Sequence, residues 1–393
     1  MKISDVSVIR VSGLFTPPEF PSGNRQALQL DVYPEFNVEA GRGNPEPHLI
    51  HAYYVVIDTD EGVSGKFGPI DRYQTDPILR TLGPLLIGRD PLATELMHDL
   101  MVKCDRHGRS GYFMTSVSAI DCALWDLKGR AWGQPVYRLL GGPVRPSIPA
   151  YASMLGCSVE PDSAAQAASQ TKALGYSAQK WFFRFGPGDG HSGLEKNLAM
   201  AHAVRETVGP HYRLMFDAFM AWDVPYTREM LTHLAPLNPT WMEEPLPPER
   251  VGSFAELRRG SSVPLATGEH VYTRWQTKEL LVAGAVDFLQ NDPDWTGGIT
   301  ELVKVCALAS SFDVPVVPHG HSLLPALHVA ASQSPSTVPY VEFLIRHQAH
   351  KQTFHKDPIF PKNGQVELPA TPGLGFDLDE SKIQSKERLV STD

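Results

Sequence analysis

A chain of 393 residues, 42% apolar and 20% charged, has the composition of a globular protein with room for a large core and more than one domain. Its formal charge of −9 and pI near 5.9 argue against a nucleic-acid or membrane-surface partner, and its apolar runs fall far short of the ~18 residues a bilayer span requires. Cys104, Cys122, Cys157 and Cys306 lack paired spacing and read as reduced thiols of a cytoplasmic protein.

Residues 1–12 alternate as a strand does and lack a secretory signal pattern. Residues 49–58 read as a second strand, followed by the turn EGVSG. Between them, residues 16–47 are rich in Pro and Gly with little periodicity, which predicts a functional flap. From 74 to 129 apolar residues recur at three and four, and Ala123, Leu124 and Leu127 share one helix face. The Gly-Gln-Pro and Gly-Gly-Pro breaks at 133–135 and 141–143 mark a boundary. The expected organisation is an α+β domain over 1–135, a second unit over 136–345, and a segment over 346–393 that returns to the first and frays at SKERLVSTD.

After Ser147 short strands and helices alternate. The strands are IPAYAS, AQKWFFRF, RLMFDAF, TWMEEP, PLATGEH, VDFLQND, VPVVPHG and PYVEFL. Eight such units predict a parallel barrel with its chemistry at the strand C-termini. A doubly wound open sheet would rarely supply polar groups from so many successive strands. Asp217, Glu243 and Glu269 end three consecutive strands at an even spacing of 26 residues. Taken singly, each acid reads better as an N-cap or surface charge; three in phase converge on one point. Like charges raise one another's pKa values, and a hard divalent cation, Mg²⁺ by default, resolves the conflict. The next two strands end in Asp292 and His319. A carboxylate on one imidazole nitrogen fixes the tautomer and raises the basicity of the other, so His319 is a candidate general base.

Together these residues resemble a known family. FDAFMAWDV, WMEEPLPPE, ATGEH, LQNDPDWTGG, VVPHGHS and VEFL, with IDCALWDLKGRAWGQPVYRLLGG before them, are similar to the enolase superfamily in its mandelate racemase-like branch, and within it to L-rhamnonate dehydratase and related acid-sugar dehydratases. The resemblance implies an α+β capping domain, completed by the C-terminal tail, on a modified TIM-like (β/α)7β barrel. It also implies a homo-oligomer that removes water from an aldonic acid with Mg²⁺, giving a 2-keto-3-deoxy acid. Carried onto this chain, it implies Asp217, Glu243 and Glu269 as metal ligands and His319 with Asp292 as a catalytic dyad. Glu342 would help hold the substrate carboxylate or the metal-bound oxygen, and His270 would face the sugar hydroxyls.

Many relatives carry Lys-x-Lys on the second strand, the second lysine being a base on the opposite face. Here Lys180 is followed by Trp181 and Phe182, so that base is absent, which counts against racemisation. The remaining alternatives are a racemase or epimerase using Lys180 or Arg184, and a non-catalytic relative of the fold. Lys180 is expected either to contact the substrate or to form a structural ion pair. Loops near 16–47 and 64–70 are expected to close over the barrel mouth, which makes Asn24, Arg25 and Lys66 candidate substrate contacts. The His319-Gly-His321 pair lacks a third nitrogen or sulfur ligand for zinc, and GPGDG at 186–190 reads as a turn.

Overall fold

Alternating Val, Ile and polar residues set the N-terminal sheet. Strands β1 (Ile3–Phe15), β2 (His48–Thr59) and β3 (Ser64–Ile70) pair antiparallel in that order. The computed structural model describes residues 1–17, 23, 25–38 and 46–389, so the candidate Asn24 lies outside the described residues. Residues 64–70, expected as a closing loop, are instead an edge strand against β2. A second expectation also changes. Ser385–Leu389, expected to fray, forms a strand on β1, with Val8 opposite Leu389 and Ser12 opposite Ser385. The physical reason is the free edge of the long β1, whose unpaired N–H and C=O groups the C-terminal strand covers. The helix Gly111–Ala131, buried over most of its length, packs under this sheet. It reaches the second half of the chain through Trp125, whose indole N–H donates to Thr300 Oγ1 at 2.8 Å, and Asp121, which accepts from Thr300 N at 2.9 Å.

The second sheet is parallel and curled. It contains β4 (Ser147–Ser153), β5 (Ala178–Phe182), β6 (Arg213–Asp217), β7 (Trp241–Glu243), β8 (Leu265–Thr267), β9 (Phe288–Leu289) and β10 (Val341–Leu344), in the order β10-β4-β5-β6-β7-β8-β9. Helices follow the strands and cover the outside, giving a TIM-like barrel. The stave expected at 314–320 is reduced to a single bridge between Leu289 and Val316. Pro315 and Pro318 explain this, since each removes a ladder donor. Val317 N still donates to Leu289 O and Val316 N to Thr337 O, both at 2.7 Å, so the segment stitches β9 to the approach of β10.

Inside the ring, Tyr151, Ala178, Met215, Trp241, Ala266 and Val317 form a separate buried cluster, with Phe288 and Tyr340 packed on it. Strand side chains alternate, so the residues two further on face the same interior. That next layer contains Lys180, Asp217, Glu243, His319 and Glu342. An apolar plug therefore floors a polar layer. Among the described residues, no helix is long and apolar enough to cross a membrane.

Gly13 shows how tightly the returning tail is seated. A Cβ there would lie 2.3 Å from Lys382 O and 2.7 Å from a ring carbon of Phe354. Gly13→Ala is expected to cost about 1–3 kcal/mol by overpacking, read as a lower urea midpoint at unchanged m-value.

Candidate active site

In-register pairing builds the polar layer. Phe182 lies opposite Asp217, and Asp217 opposite Glu243, so two carboxylates leave adjacent strands at one height. Lys180 reaches between them. Its Nζ lies 3.1 Å from Asp217 Oδ2, 3.0 Å from Glu342 Oε1 and against Glu243 Oε1. The second oxygen of Glu243 accepts from Trp241 Nε1, and that of Glu342 from Gly320 N, each at 2.9 Å. All four side chains are buried. Burial opposes charge on Lys180, but Glu243, Glu342 and Asp217 outweigh it and hold the ammonium well above the ordinary lysine range. Burial, opposed by Lys180, pushes Asp217 up. Burial and then the Asp217 charge push Glu243 up. On Glu342 burial is outweighed by Lys180 and His319, so its carboxyl sits low.

Beside this cluster stands the dyad. His319 Nδ1 is 2.7 Å from Asp292 Oδ2, and Asp292 Oδ1 accepts from Asp294 N at 2.6 Å. With Nδ1 held by a carboxylate, Nε2 faces inward, 3.4 Å from Glu269 Oε1. Burial disfavours the imidazolium, but Glu269 and the Asp292 hydrogen bond outweigh it and raise His319 to about 10. Glu269 itself is raised to about 7, chiefly by burial. It turns inward because Gly268 adopts φ 137°, where a Cβ would lie 2.6 Å from Gln290 N. His270 Nδ1 is 3.0 Å from Glu244 Oε2, and Thr267 Oγ1 donates to Glu244 Oε1 at 2.9 Å. The Trp295 ring lies 5.3 Å from His270 and 5.0 Å from His319 and His321, centroid to centroid.

The structure thus gathers Asp217, Glu243, Glu269, Asp292, His319, Glu342, Lys180 and His270 at one end of the barrel. The three expected ligands do not form the tightest set. Among the described residues, the candidate ligand atoms that all lie within 4.8 Å of one another belong to Glu244, Glu269 and His270. The reason is local electrostatics: Lys180 draws Glu243 and Asp217 toward β5, while Trp241 on β7 holds the second oxygen of Glu243. The donor set still fits a hard divalent cation. It is rich in buried carboxylate oxygens, and Asp217, Glu243 and Glu269 are all pushed upward, which signals positive charge in short supply.

Other candidates lie elsewhere. Arg25 grips Asp31 with both terminal nitrogens, at 2.8 and 2.6 Å, and bonds the carbonyl of Phe36, so it braces the described part of the flap. Lys66 pairs with Asp377 at 2.8 Å in a groove shared with Arg130 and Lys356, outside the barrel. Arg184 meets Asp31 and Asn37, which fastens the described part of the flap to the end of β5. Glu244, Trp295 and the Asp294–His321 pair were not singled out as site residues. Their signals were the doublet in WMEEP and the matched spacings of Asp292 with Asp294 and His319 with His321.

With this geometry in view, comparison with known proteins decides the family. Residues 162–382 match the family described as enolase C-terminal domain-like, and residues 49–141 match the mandelate racemase / muconate lactonizing enzyme N-terminal domain. The chain belongs to the enolase superfamily, in its mandelate racemase-like branch. An L-rhamnonate dehydratase of Saccharopolyspora erythraea is 39% identical over 281 residues, 70% of this chain and 68% of that one. A solved rhamnonate dehydratase of Gibberella zeae, complexed with Mg, superposes with a TM-score of 0.81 at 29% identity, covering 97% of this chain and 96% of that one. A 3,6-anhydro-D-galactonate cycloisomerase of Zobellia galactanivorans superposes with a TM-score of 0.77 at 27% identity, covering 98% and 100%. The enolase superfamily thus supplies both domains of this chain.

The crowded carboxylates give a definite pH dependence. The Glu269 pKa in the folded state, about 7, stands above its ordinary 4.5. Between those pH values the folded form holds a proton that the unfolded form has lost, so stability falls as pH rises through the window. His319 titrates together with Glu269, and its raised pKa acts in the same direction, its share of stability being lost as pH climbs toward 10. In EDTA the unfolding free energy is expected to fall as pH rises from 4.5 to 7, and Glu269→Gln should flatten that slope in urea titrations.

Proposed function

We propose that the chain dehydrates an acid sugar in a Mg²⁺-dependent reaction, abstracting the proton alpha to the carboxylate and releasing a 2-keto-3-deoxy acid. The observation that carries this reading is the buried Asp292–His319 dyad, with Nε2 presented to the same space as Glu269, Lys180 and Glu342. The rhamnonate dehydratases among the relatives support the substrate class.

In this reading Asp217, Glu243 and Glu269 would hold the cation. When bound, it withdraws charge from the substrate carboxylate and so acidifies the adjacent C–H bond. His319 Nε2 takes the C2 proton while Asp292 holds Nδ1 and stabilises the imidazolium. His319 then returns that proton to the departing C3 hydroxyl, which leaves as water as the C2–C3 double bond forms. The resulting enol ketonises to the product. Lys180, held in place by Glu342, faces the substrate carboxylate, and His270 contacts sugar hydroxyls. For His319 to start neutral, the charge of Glu269 must be engaged elsewhere, which is what serving as a metal ligand would do.

The chemistry is one-sided. Lys180 is bound among three carboxylates and Arg184 is turned to Asp31 and Asn37, so neither stands as a second base opposite His319. This favours elimination over racemisation.

The test is a panel of aldonates, L-rhamnonate included, incubated with Mg²⁺ and assayed for 2-keto-3-deoxy acid. In D₂O, deuterium at C2 of recovered substrate with inverted configuration and no keto acid would identify a racemase instead. His319→Asn is expected to lower turnover by about 10²–10⁴-fold, and full activity in that variant would sink the assignment of the base. Independently of activity, Mg²⁺ at about 100 times its Kd should stabilise the protein by about 2.7 kcal/mol, and Asp217→Asn should abolish the shift.

A further inference from the structure

The polar network continues past the reacting groups. His321 repeats the arrangement of His319: its Nδ1 lies 2.7 Å from Asp294 Oδ2. The Trp295 ring contacts both imidazoles, at centroid distances of 5.0 Å. The two are not equivalent. His319 presents Nε2 to the site, whereas the His321 ring lies against the Nζ of Lys351, the last residue of the helix Ile345–Lys351, at 2.8 Å from Nε2 and 3.3 Å from Nδ1. Lys351 also donates to the carbonyl of Pro69 in β3, at 3.2 Å. Lys351, His321 and Asp294 are all buried.

The donors set the direction of this chain. An ammonium has only protons to give and an ionised carboxylate only lone pairs, so the neutral ring gives its Nδ1–H to Asp294 and turns its unprotonated side toward Lys351. Burial and the Lys351 charge keep the His321 ring neutral, its pKa lowered to about 3. The backbone N–H of His321 donates to Asp292 Oδ2 at 3.2 Å, the oxygen that also holds His319 Nδ1. One carboxylate oxygen thus joins the two histidines. The orientation of His319 depends on where His321 sits, and His321 is gripped by a lysine anchored on the capping sheet.

We propose that Lys351 is a positioning residue for the reaction, aiming His319 through His321 and Asp292 and coupling that aim to the seat of the capping domain at Pro69. The proposal rests on His319 being the base. Partners of this kind typically change activity by about 10–100-fold when removed, because small misplacements of a reacting group are costly.

The competing explanation is that Lys351 only balances buried charge on Asp294. Three variants separate the two. Lys351→Met removes the link and the charge. Lys351→Met with Asp294→Asn restores the charge balance without the link, in case the single variant does not fold. Lys351→Arg keeps a cation and donors. Two measurements apply: the proton resonance of His319 Nδ1, assigned by its loss in His319→Asn, and steady-state kinetics on L-rhamnonate with its C2-deuterated form. The link predicts a shifted or broadened His319 resonance in both Met variants. It also predicts about a tenfold fall in kcat with KM within about twofold, a larger C2 isotope effect, and recovery in Lys351→Arg. A wild-type resonance and kcat in the folded double variant would overturn it. If His319→Asn stays active, the base assignment fails by itself, and the proposal falls with it. If the wild type does not turn over L-rhamnonate, the resonance alone decides the link.

Discussion

Buried negative charge is the constraint that shapes this protein. Asp217, Glu243, Glu269, Glu342 and Asp292 crowd one end of a barrel, nearly all of their surface removed from water. An ion so buried costs several kcal/mol unless paired and hydrogen-bonded. Much of the local structure reads as a response to that cost. Lys180 lies among three of the acids, His319 between two, and backbone or indole N–H groups satisfy remaining oxygens. The same shortage of positive charge is what the proposed divalent cation would relieve.

The barrel makes this crowding possible by separating two layers. Tyr151, Met215 and Trp241 fill the ring below, excluding water from the underside of the polar layer. Because side chains alternate along each strand, the next inward position on β5, β6 and β7 is a charged residue. The proline-interrupted segment around Val316 adds His319 to that layer despite its minimal pairing, held by Val317 N on Leu289 O. Chemistry thus sits where the ring is firm on one side and open to the capping domain on the other.

The capping domain is tied to the barrel at several points. The buried helix Gly111–Ala131 docks through Asp121 and Trp125 near the loop that carries Asp292, Asp294 and Trp295. The described flap residues are pinned at β5, where Ala27 N donates to Phe183 O at 2.8 Å and Arg184 meets Asp31. The returning tail closes the sheet on β1 and, on its way, places Lys351 beneath Pro69. Cap and barrel therefore share hydrogen bonds at Thr300, at Phe183 and Arg184 beyond β5, and at Lys351.

Much of this was legible in the chain because its causes are local. A strand, a turn and a return helix have nearly fixed lengths, so acids 26 residues apart announced adjacent strand ends, and Asp292 and His319 followed the same rhythm. What was not legible depends on distance across the ring and between domains. Glu243 turns to Lys180, 63 residues away in sequence, because that is the nearest buried cation. Arg25 takes Asp31, and Lys66 takes Asp377, 311 residues away, because long charged side chains settle on the carboxylate that folding brings beside them. The polar segment SKERL, unremarkable alone, becomes a strand because β1 offers it an unpaired edge. Local periodicity chose the elements and the kinds of groups at their ends, whereas the pairing of those groups awaited the tertiary fold, since the energy of a charge depends on its neighbours in space.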